Sequence, residues 1–302
     1  MNANRLTLNN ILENLQNNKE NYISQSEEFF KSQTNKVLNT LVQDKNIKFI
    51  LLAGPSSSGK TTTSKLLTEN LIKNGFDALA ISLDDYFVER ELTPKWKDGT
   101  YNYETYMSID WKLFGKTMQS LLKGNVTILP VYNFKTGYKE FGIEGKKLKE
   151  DTIVVVEGLH ALNPIIDKYI PTEKSLKVYT SVNTDVYKNT KLIISHSTVR
   201  FYRRLIRDLF TRNISIEETI NYWQKVNLGE ELYIKPYIDT AKIKIDSFHP
   251  YELSVYNNVL NTFKHFNSKQ LDEAKKVLEI FGEINYKTVP KDSVLQEFIP
   301  SK

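Results

Sequence analysis

One run of eight residues, Gly54-Pro55-Ser56-Ser57-Ser58-Gly59-Lys60-Thr61, constrains what this chain can fold into more than any other. Before it stands a continuous apolar run, Phe49–Ala53, and after it an amphipathic segment carrying Leu66, Leu67 and Leu71. That order reads as a buried strand, a tight loop and the helix it feeds, and Gly75 follows where a glycine ends a helix. Glycines let successive backbone N–H groups turn inward, and the next helix presents its positive end to whatever they enclose. A phosphate chain is what such a cradle holds. Gly54, Ser57, Ser58, Gly59, Lys60, Thr61 and Thr62 are the candidate ligands. Lys60 would reach the outer phosphates of ATP or GTP and take part in the chemistry, while the Thr61 hydroxyl is suited to Mg²⁺. A glycine- and serine-rich surface turn would need neither flank.

Short apolar runs at residues 48–53, 78–83, 126–130, 153–156, 176–182 and 241–245 alternate with helical spacing. Continuous apolar runs suit strands covered on both faces, so the expected fold is α/β, a P-loop NTPase three-layer sandwich with a central parallel sheet. Residues 1–45 are rich in Asn and Gln, and Leu8, Ile11, Leu12, Leu15, Val37, Leu38 and Leu41 are spaced for two helices that precede the core. The expected organisation is a helical N-terminal extension (1–45), the core (46–250) with a helical lid at about 200–215, and a helical C-terminal extension (251–302).

With no cysteine, disulfides and thiolate metal sites are excluded. A net charge of +5 fits an anionic small molecule without arguing for nucleic acid or a membrane. The first ten residues lack the apolar core of a secretory signal, and no apolar run approaches a membrane span, so a cytoplasmic protein is expected. An Asp stands two positions after a Lys at Lys149 and Lys244, but Leu148 and Ile243 precede them where a GTPase would carry Asn or Thr.

Phosphoryl transfer needs one carboxylate for the acceptor hydroxyl and another for the metal. Asp84 and Asp85 end the run Ala80-Ile81-Ser82-Leu83, and Glu157 ends Ile153-Val154-Val155-Val156. Ligands of open α/β sheets bind at such carboxyl ends. Asp84 is the candidate base and Glu157 the candidate metal ligand, whereas Asp85 could equally cap the following turn.

Of the 41 basic residues only seven are arginines, and five lie between positions 200 and 212. Arg200, Arg203, Arg204 and Arg207 share one helical face, with Arg212 a turn further on, opposite Phe201, Leu205 and Leu209. A merely solvated face in so lysine-rich a chain would be lysine, so arginine points to bidentate clamping of phosphate by a closing lid. Tyr101, Tyr103, Tyr106, Tyr132 and Phe134 offer rings for stacking on a flat base or for ordinary packing. His160 reads as a packing residue, and His196, His249 and His265 form no ligand-spaced set.

Five segments, taken in order, carry a family resemblance. They are residues 54–62, Ser82-Leu83-Asp84-Asp85-Tyr86-Phe87, Tyr132-Asn133-Phe134, Val156-Glu157-Gly158-Leu159-His160 and Arg203-Arg204-Leu205-Ile206-Arg207-Asp208. Over about residues 46–250 the chain resembles the uridine kinase/phosphoribulokinase family, and it looks closest to a bacterial uridine kinase-like branch often fused behind a threonyl-tRNA-synthetase-like segment. The stretches 229–237, 251–253 and 295–299 look like that branch as well.

The resemblance implies ATP- and Mg²⁺-dependent phosphorylation of a nucleoside 5′-hydroxyl. Asp84 matches the catalytic base, Glu104 and Arg204 match groups on the ribose hydroxyls, Tyr103 and Tyr132 line the base pocket, and Arg207 and Arg212 match catalytic lid arginines. Family members selective for pyrimidines carry a histidine five residues after the tyrosine of the Tyr132 motif. Here that position is Gly137, so the resemblance does not fix the base. Asn213 stands where the family often has glycine after the lid arginine, and asparagine tolerates the left-handed backbone required there. Uridine or a related nucleoside is the expected acceptor, with homo-oligomers left open. A sugar-phosphate kinase and a nucleotide-binding regulator without transfer activity are the competing readings, and Asp84 argues against the last.

Overall fold

The computed structural model describes residues 3–262 and 269–301; His265 lies outside them. The chain begins with β1 (Asn4–Thr7), α1 (Leu8–Gln43), β2 (Phe49–Ala53), α2 (Lys60–Lys73) and β3 (Ala78–Ser82). It continues through α3 (Trp111–Leu122), β4 (Thr127–Asn133), β5 (Tyr138–Lys146), β6 (Ile153–Glu157) and β7 (Ser175–Ser181). β8 (Thr184–Lys188), β9 (Lys191–Ile194), α4 (His196–Thr211), α5 (Ile216–Gly229), β10 (Ile243–Asp246), α6 (Glu252–Thr262) and α7 (Lys269–Glu279) complete it.

The central sheet is parallel throughout, in the order β10-β7-β2-β6-β3. The inner strands β2 and β6 are buried at every residue, which is why they read as continuous apolar runs, while the edge strand β3 is only partly covered. Ile50, Leu52, Val155 and Val178 pack with Leu67 and Leu71 of α2. Phe49, Leu51, Val154 and Val156 pack with Phe114 and Met118 of α3 on the other side. Three layers result, as expected from the strand–helix alternation, and all five carboxyl ends emerge on one edge.

Three expectations need correction. The 126–130 run is not a sheet strand: β4 pairs antiparallel with β5 in a separate two-stranded ribbon, with Thr127, Pro130 and Tyr132 turned inward and Val131 left exposed. Its alternation is that of a one-sided ribbon. Residues 1–45 do not stand outside the core, because Ile11, Phe30, Val37 and Leu41 are buried in the α2-side cluster with the sheet. The same cluster contains Val294, Leu295 and Phe298, so the C-terminal region joins the core too, and beyond α7 it runs through short 3₁₀ turns such as Val294–Glu297.

Two helices do occupy the N-terminal region, divided at Asn18, whose backbone leaves the helical region (φ −156°, ψ 70°) while its side chain accepts from the Asn21 N–H. Asparagine there acts as the N-cap of a second helix. Ahead of them β1 pairs with β8 in a small three-stranded sheet, β1-β8-β9, which periodicity over such short segments does not reveal.

Candidate active site

The loop between β2 and α2 has the geometry of an anion cradle. Ser57 (φ 59°) and Gly59 (φ 82°) take left-handed conformations that turn the backbone back on itself. A Cβ on Gly54 would lie 2.1 Å from the Thr180 carbonyl oxygen, so only glycine fits against β7 there. Lys60 folds over the loop and donates to the Pro55 carbonyl at 3.1 Å. The Ser57 and Ser58 hydroxyls are buried without a hydrogen-bond partner among the described residues. Unsatisfied buried groups cost about 1–3 kcal/mol each, and these two belong to the loop whose backbone a phosphate chain would engage.

Two neighbouring strands deliver the carboxylates. Ser82, the last residue of β3, is in register with Glu157, the last residue of β6, and its hydroxyl donates to Glu157 Oε1 at 2.8 Å. The Ser82 hydroxyl also accepts the Asp84 N–H at 3.3 Å, which starts a 3₁₀ turn and sets Asp84 beside Glu157. Asp85 serves a structural purpose instead, since its carboxylate accepts the Tyr132 N–H at 3.2 Å and ties β4 to the sheet edge. Glu157 is pushed up to about 7 by burial and next by the Asp84 charge. Glu104 is pushed up to about 7 by burial, against the pull of Arg204 and Lys60.

These shifts have a sign. A carboxyl whose folded pKa lies above its unfolded value of 4.5 contributes stability that is fully present below 4.5 and lost as pH rises through about 7. Glu157→Gln removes that dependence at one site. Its melting temperature is expected to exceed that of the wild type at pH 8 by an amount worth on the order of 2 kcal/mol, with the difference shrinking toward pH 5. A pH-independent difference would contradict the burial of this carboxylate in charged form.

Glu157 Oε2 has no hydrogen-bond partner among the described residues, and Thr61 is exposed at the mouth of the loop. A carboxylate and a hydroxyl are oxygen donors that suit Mg²⁺. No group of three or more acids, histidines or cysteines is spaced for a metal among the described residues, so most of the cation's ligands would be phosphate oxygens and water.

The arginine stripe of α4 faces the loop, but its members divide. Arg203 is fully buried: its Nε and Nη2 donate to the two Glu252 carboxylate oxygens at 2.7 and 3.0 Å, and Nη1 donates to the Ser247 hydroxyl at 3.0 Å. Arg200 is paired with Glu230 at 2.5 Å. These two hold α4 in place and are not free clamps. Arg204 Nη1 donates to the Ser56 hydroxyl at 2.9 Å, directly on the loop. Arg204, Arg207 and Arg212 converge on the single buried carboxylate of Asp208 at 3.1, 3.5 and 3.6 Å. Three guanidiniums share one acid, and burial followed by the Arg212 charge pushes Arg207 down to about 10. Such an excess of cation beside a phosphate loop calls for an anionic partner. Asn213 takes the left-handed conformation expected of it (φ 54°) and closes the turn after Arg212.

Phe87, at the end of the turn that carries Asp84, joins the rings in one cluster. Phe87 lies 5.6 Å from both Tyr103 and Tyr132, and Phe134 lies 5.0 Å from Tyr132. The Tyr132 hydroxyl is buried with no hydrogen-bond partner among the described residues. Gly137 closes the β4–β5 turn beneath Arg90, where an added Cβ would meet the Arg90 side chain at 2.7 Å. His160 packs edge-on to Tyr106 and Tyr233, and burial pushes it down to about 3, so it is neutral.

A family model described as the phosphoribulokinase/uridine kinase family matches residues 49–254. The chain belongs to this family. Among relatives, a uridine kinase of Ureaplasma parvum serovar 3 is 26% identical over 198 residues, covering 65% of this chain and 86% of that one. A uridine kinase of Deinococcus deserti is 28% identical over 172 residues, covering 57% and 73%. A solved structure described as a possible uridine kinase from Bacillus stearothermophilus is 18% identical, covers 71% of this chain and 98% of its own, and superposes with a TM-score of 0.48. Membership in this family makes the chain a P-loop kinase.

Four residues around this candidate site carry no signal in the sequence. Tyr222 of α5 places its ring 5.4 Å from the Arg204 guanidinium. Glu230 and Glu252 neutralise Arg200 and Arg203, and Glu297 reaches Thr62. Each acts on a residue far away in the chain, and no local spacing announces it.

Proposed function

We propose that the protein transfers the γ-phosphoryl group of ATP to the 5′-hydroxyl of a nucleoside, most simply uridine, with Mg²⁺. One observation carries this reading: Asp84, Glu157 and Lys60 stand together at one sheet edge, between an arginine-lined loop and an aromatic cluster. Gly54, Ser57, Ser58, Gly59, Lys60, Thr61 and Thr62 would hold the triphosphate. Thr61 and Glu157 would hold Mg²⁺, which when bound neutralises charge on the phosphate oxygens.

In this reading Tyr103 and Tyr132 flank the base, and Glu104 and Arg204 hold the ribose. The nucleoside's hydroxyl oxygen attacks the γ-phosphorus as its proton passes to Asp84, and the bond to the bridging oxygen of ADP breaks. Lys60, Arg207 and Arg212 offset the charge that spreads over the transferring group. The body of α4 is core rather than the expected lid, with Val199, Tyr202, Leu205 and Ile206 buried and Arg203 fixed to Glu252. Any closure that excludes water would therefore fall to the turn after it, at Arg212 and Asn213. A cytoplasmic location is part of the same proposal, and none of the described helices is long and apolar enough to cross a membrane.

Incubation with ATP, Mg²⁺ and a panel of nucleosides and sugar phosphates, read by ADP release, tests the acceptor. Turnover with nucleosides and not with sugar phosphates is expected. Turnover confined to sugar phosphates would replace the acceptor class while keeping the kinase.

A further inference from the structure

The C-terminal segment returns to the phosphate loop. Its short turn Val294–Glu297, capped by Ser293, lies across the start of α2. Val294 packs so closely on Gly59 that a Cβ there would come within 2.5 Å of its methyl, and the Phe298 ring centroid lies 5.0 Å from the Arg203 guanidinium. Between them Glu297 Oε2 accepts the Thr62 hydroxyl at 2.9 Å and the Thr62 N–H at 3.3 Å. Thr62 is the third residue of α2, so its N–H has no acceptor within the helix and belongs to the positive pole that a phosphate would use.

A carboxylate at a helix start is commonly a local cap. This one comes from 235 residues away, onto a helix whose own N-cap is Gly59 with no side chain to offer. The segment is also held from behind by α1. Lys31 pairs with Asp292 at 2.5 Å, and the Tyr251 hydroxyl links Glu27 (2.5 Å) to Ser293 (3.4 Å). The N-terminal region therefore braces the C-terminal segment that reaches the start of α2.

We propose that Glu297 is an internal competitor for nucleotide phosphate: the C-terminal segment, braced by α1, places its carboxylate on Thr62 and must release it when the phosphate chain binds. The inference rests on the nucleotide reading of the loop given above. Two anions cannot share one hydroxyl and one N–H at the same pole, so the nucleotide's affinity is set against this contact.

The test uses the full chain and ADP with Mg²⁺, without acceptor. Glu297→Gln keeps the shape and one acceptor oxygen while removing the charge, and it is expected to bind ADP about three- to tenfold more tightly than the wild type by calorimetry. Hydrogen exchange on the wild type needs no variant: amides of residues 293–299 should exchange faster once ADP is bound. Equal binding by Glu297→Gln would overturn the competitor role, and weaker binding, or slower exchange of 293–299 with ADP, would overturn it and make the segment part of the nucleotide's own support. Wild-type protein that fails to bind ADP would remove the nucleotide reading and this inference together. Normal wild-type binding with an unaltered variant removes this inference alone.

Discussion

Asp84→Asn is expected to lower kcat for nucleoside phosphorylation by about 10²–10⁴-fold while leaving the dissociation constant for ADP nearly unchanged. The asparagine retains the size of the side chain and the backbone bond to Ser82 that starts the turn. What it loses is the ability to accept the acceptor's proton. It also removes the charge that helps raise Glu157, so the acid limb of Mg²⁺-dependent activity should move to lower pH in whatever rate remains. Steady-state kinetics with the identified acceptor, paired with ADP calorimetry, measure both effects. A variant with kcat within a factor of about three would remove Asp84 from the role of base.

Arg203→Ala is expected to be the most damaging substitution to stability in the arginine stripe, by about 3–5 kcal/mol in urea unfolding. Arg203 and Glu252 are both fully buried and joined by two hydrogen bonds, so truncating the arginine strands a carboxylate in the core. Tyr256, whose hydroxyl donates to the same carboxylate at 2.7 Å, cannot neutralise it. Arg212→Ala is the counterpart, since Arg212 is half exposed and its ion pair is to Asp208, which Arg204 and Arg207 also hold. That variant should stay within about 0.5 kcal/mol of the wild type yet lose much of its kcat. If Arg203→Ala instead kept its stability and lost only activity, the division of the stripe into structural and phosphate-facing members would be wrong.

The sequence showed the loop and the sheet clearly because both signals are local. Phe49–Ala53 and Ile153–Val156 are apolar throughout since the sheet is covered on both faces, and the cradle's glycines and lysine sit in one stretch. The nearness of Asp84 and Glu157 was legible for a related reason: strand ends of a parallel sheet converge, so Glu157 at the end of β6 and Asp84 in the turn that leaves β3 come together.

The arginine stripe was only half legible. Helical spacing puts Arg200, Arg203, Arg204 and Arg207 on one face, but the acids that neutralise Arg200 and Arg203 lie 30 and 49 residues away. Periodicity cannot tell a buried ion pair from a free clamp. The N-terminal region misled through composition, since its many Asn and Gln residues surround a few apolar positions, Phe30, Val37 and Leu41 among them, that dock on the sheet's helical layer. Glu297 was invisible as a site residue, because nothing near it in the chain hints at Thr62.

Whether this member of the phosphoribulokinase/uridine kinase family phosphorylates a nucleoside at its 5′-hydroxyl can be read in a single experiment. Phosphorus NMR of the purified protein with ATP, Mg²⁺ and uridine reports the donor, the leaving group and the product together. A new nucleoside 5′-phosphomonoester signal should grow in step with ADP and be lost in Asp84→Asn. ADP accompanied only by inorganic phosphate, or a phosphomonoester that appears only with a sugar-phosphate acceptor, would contradict nucleoside phosphorylation.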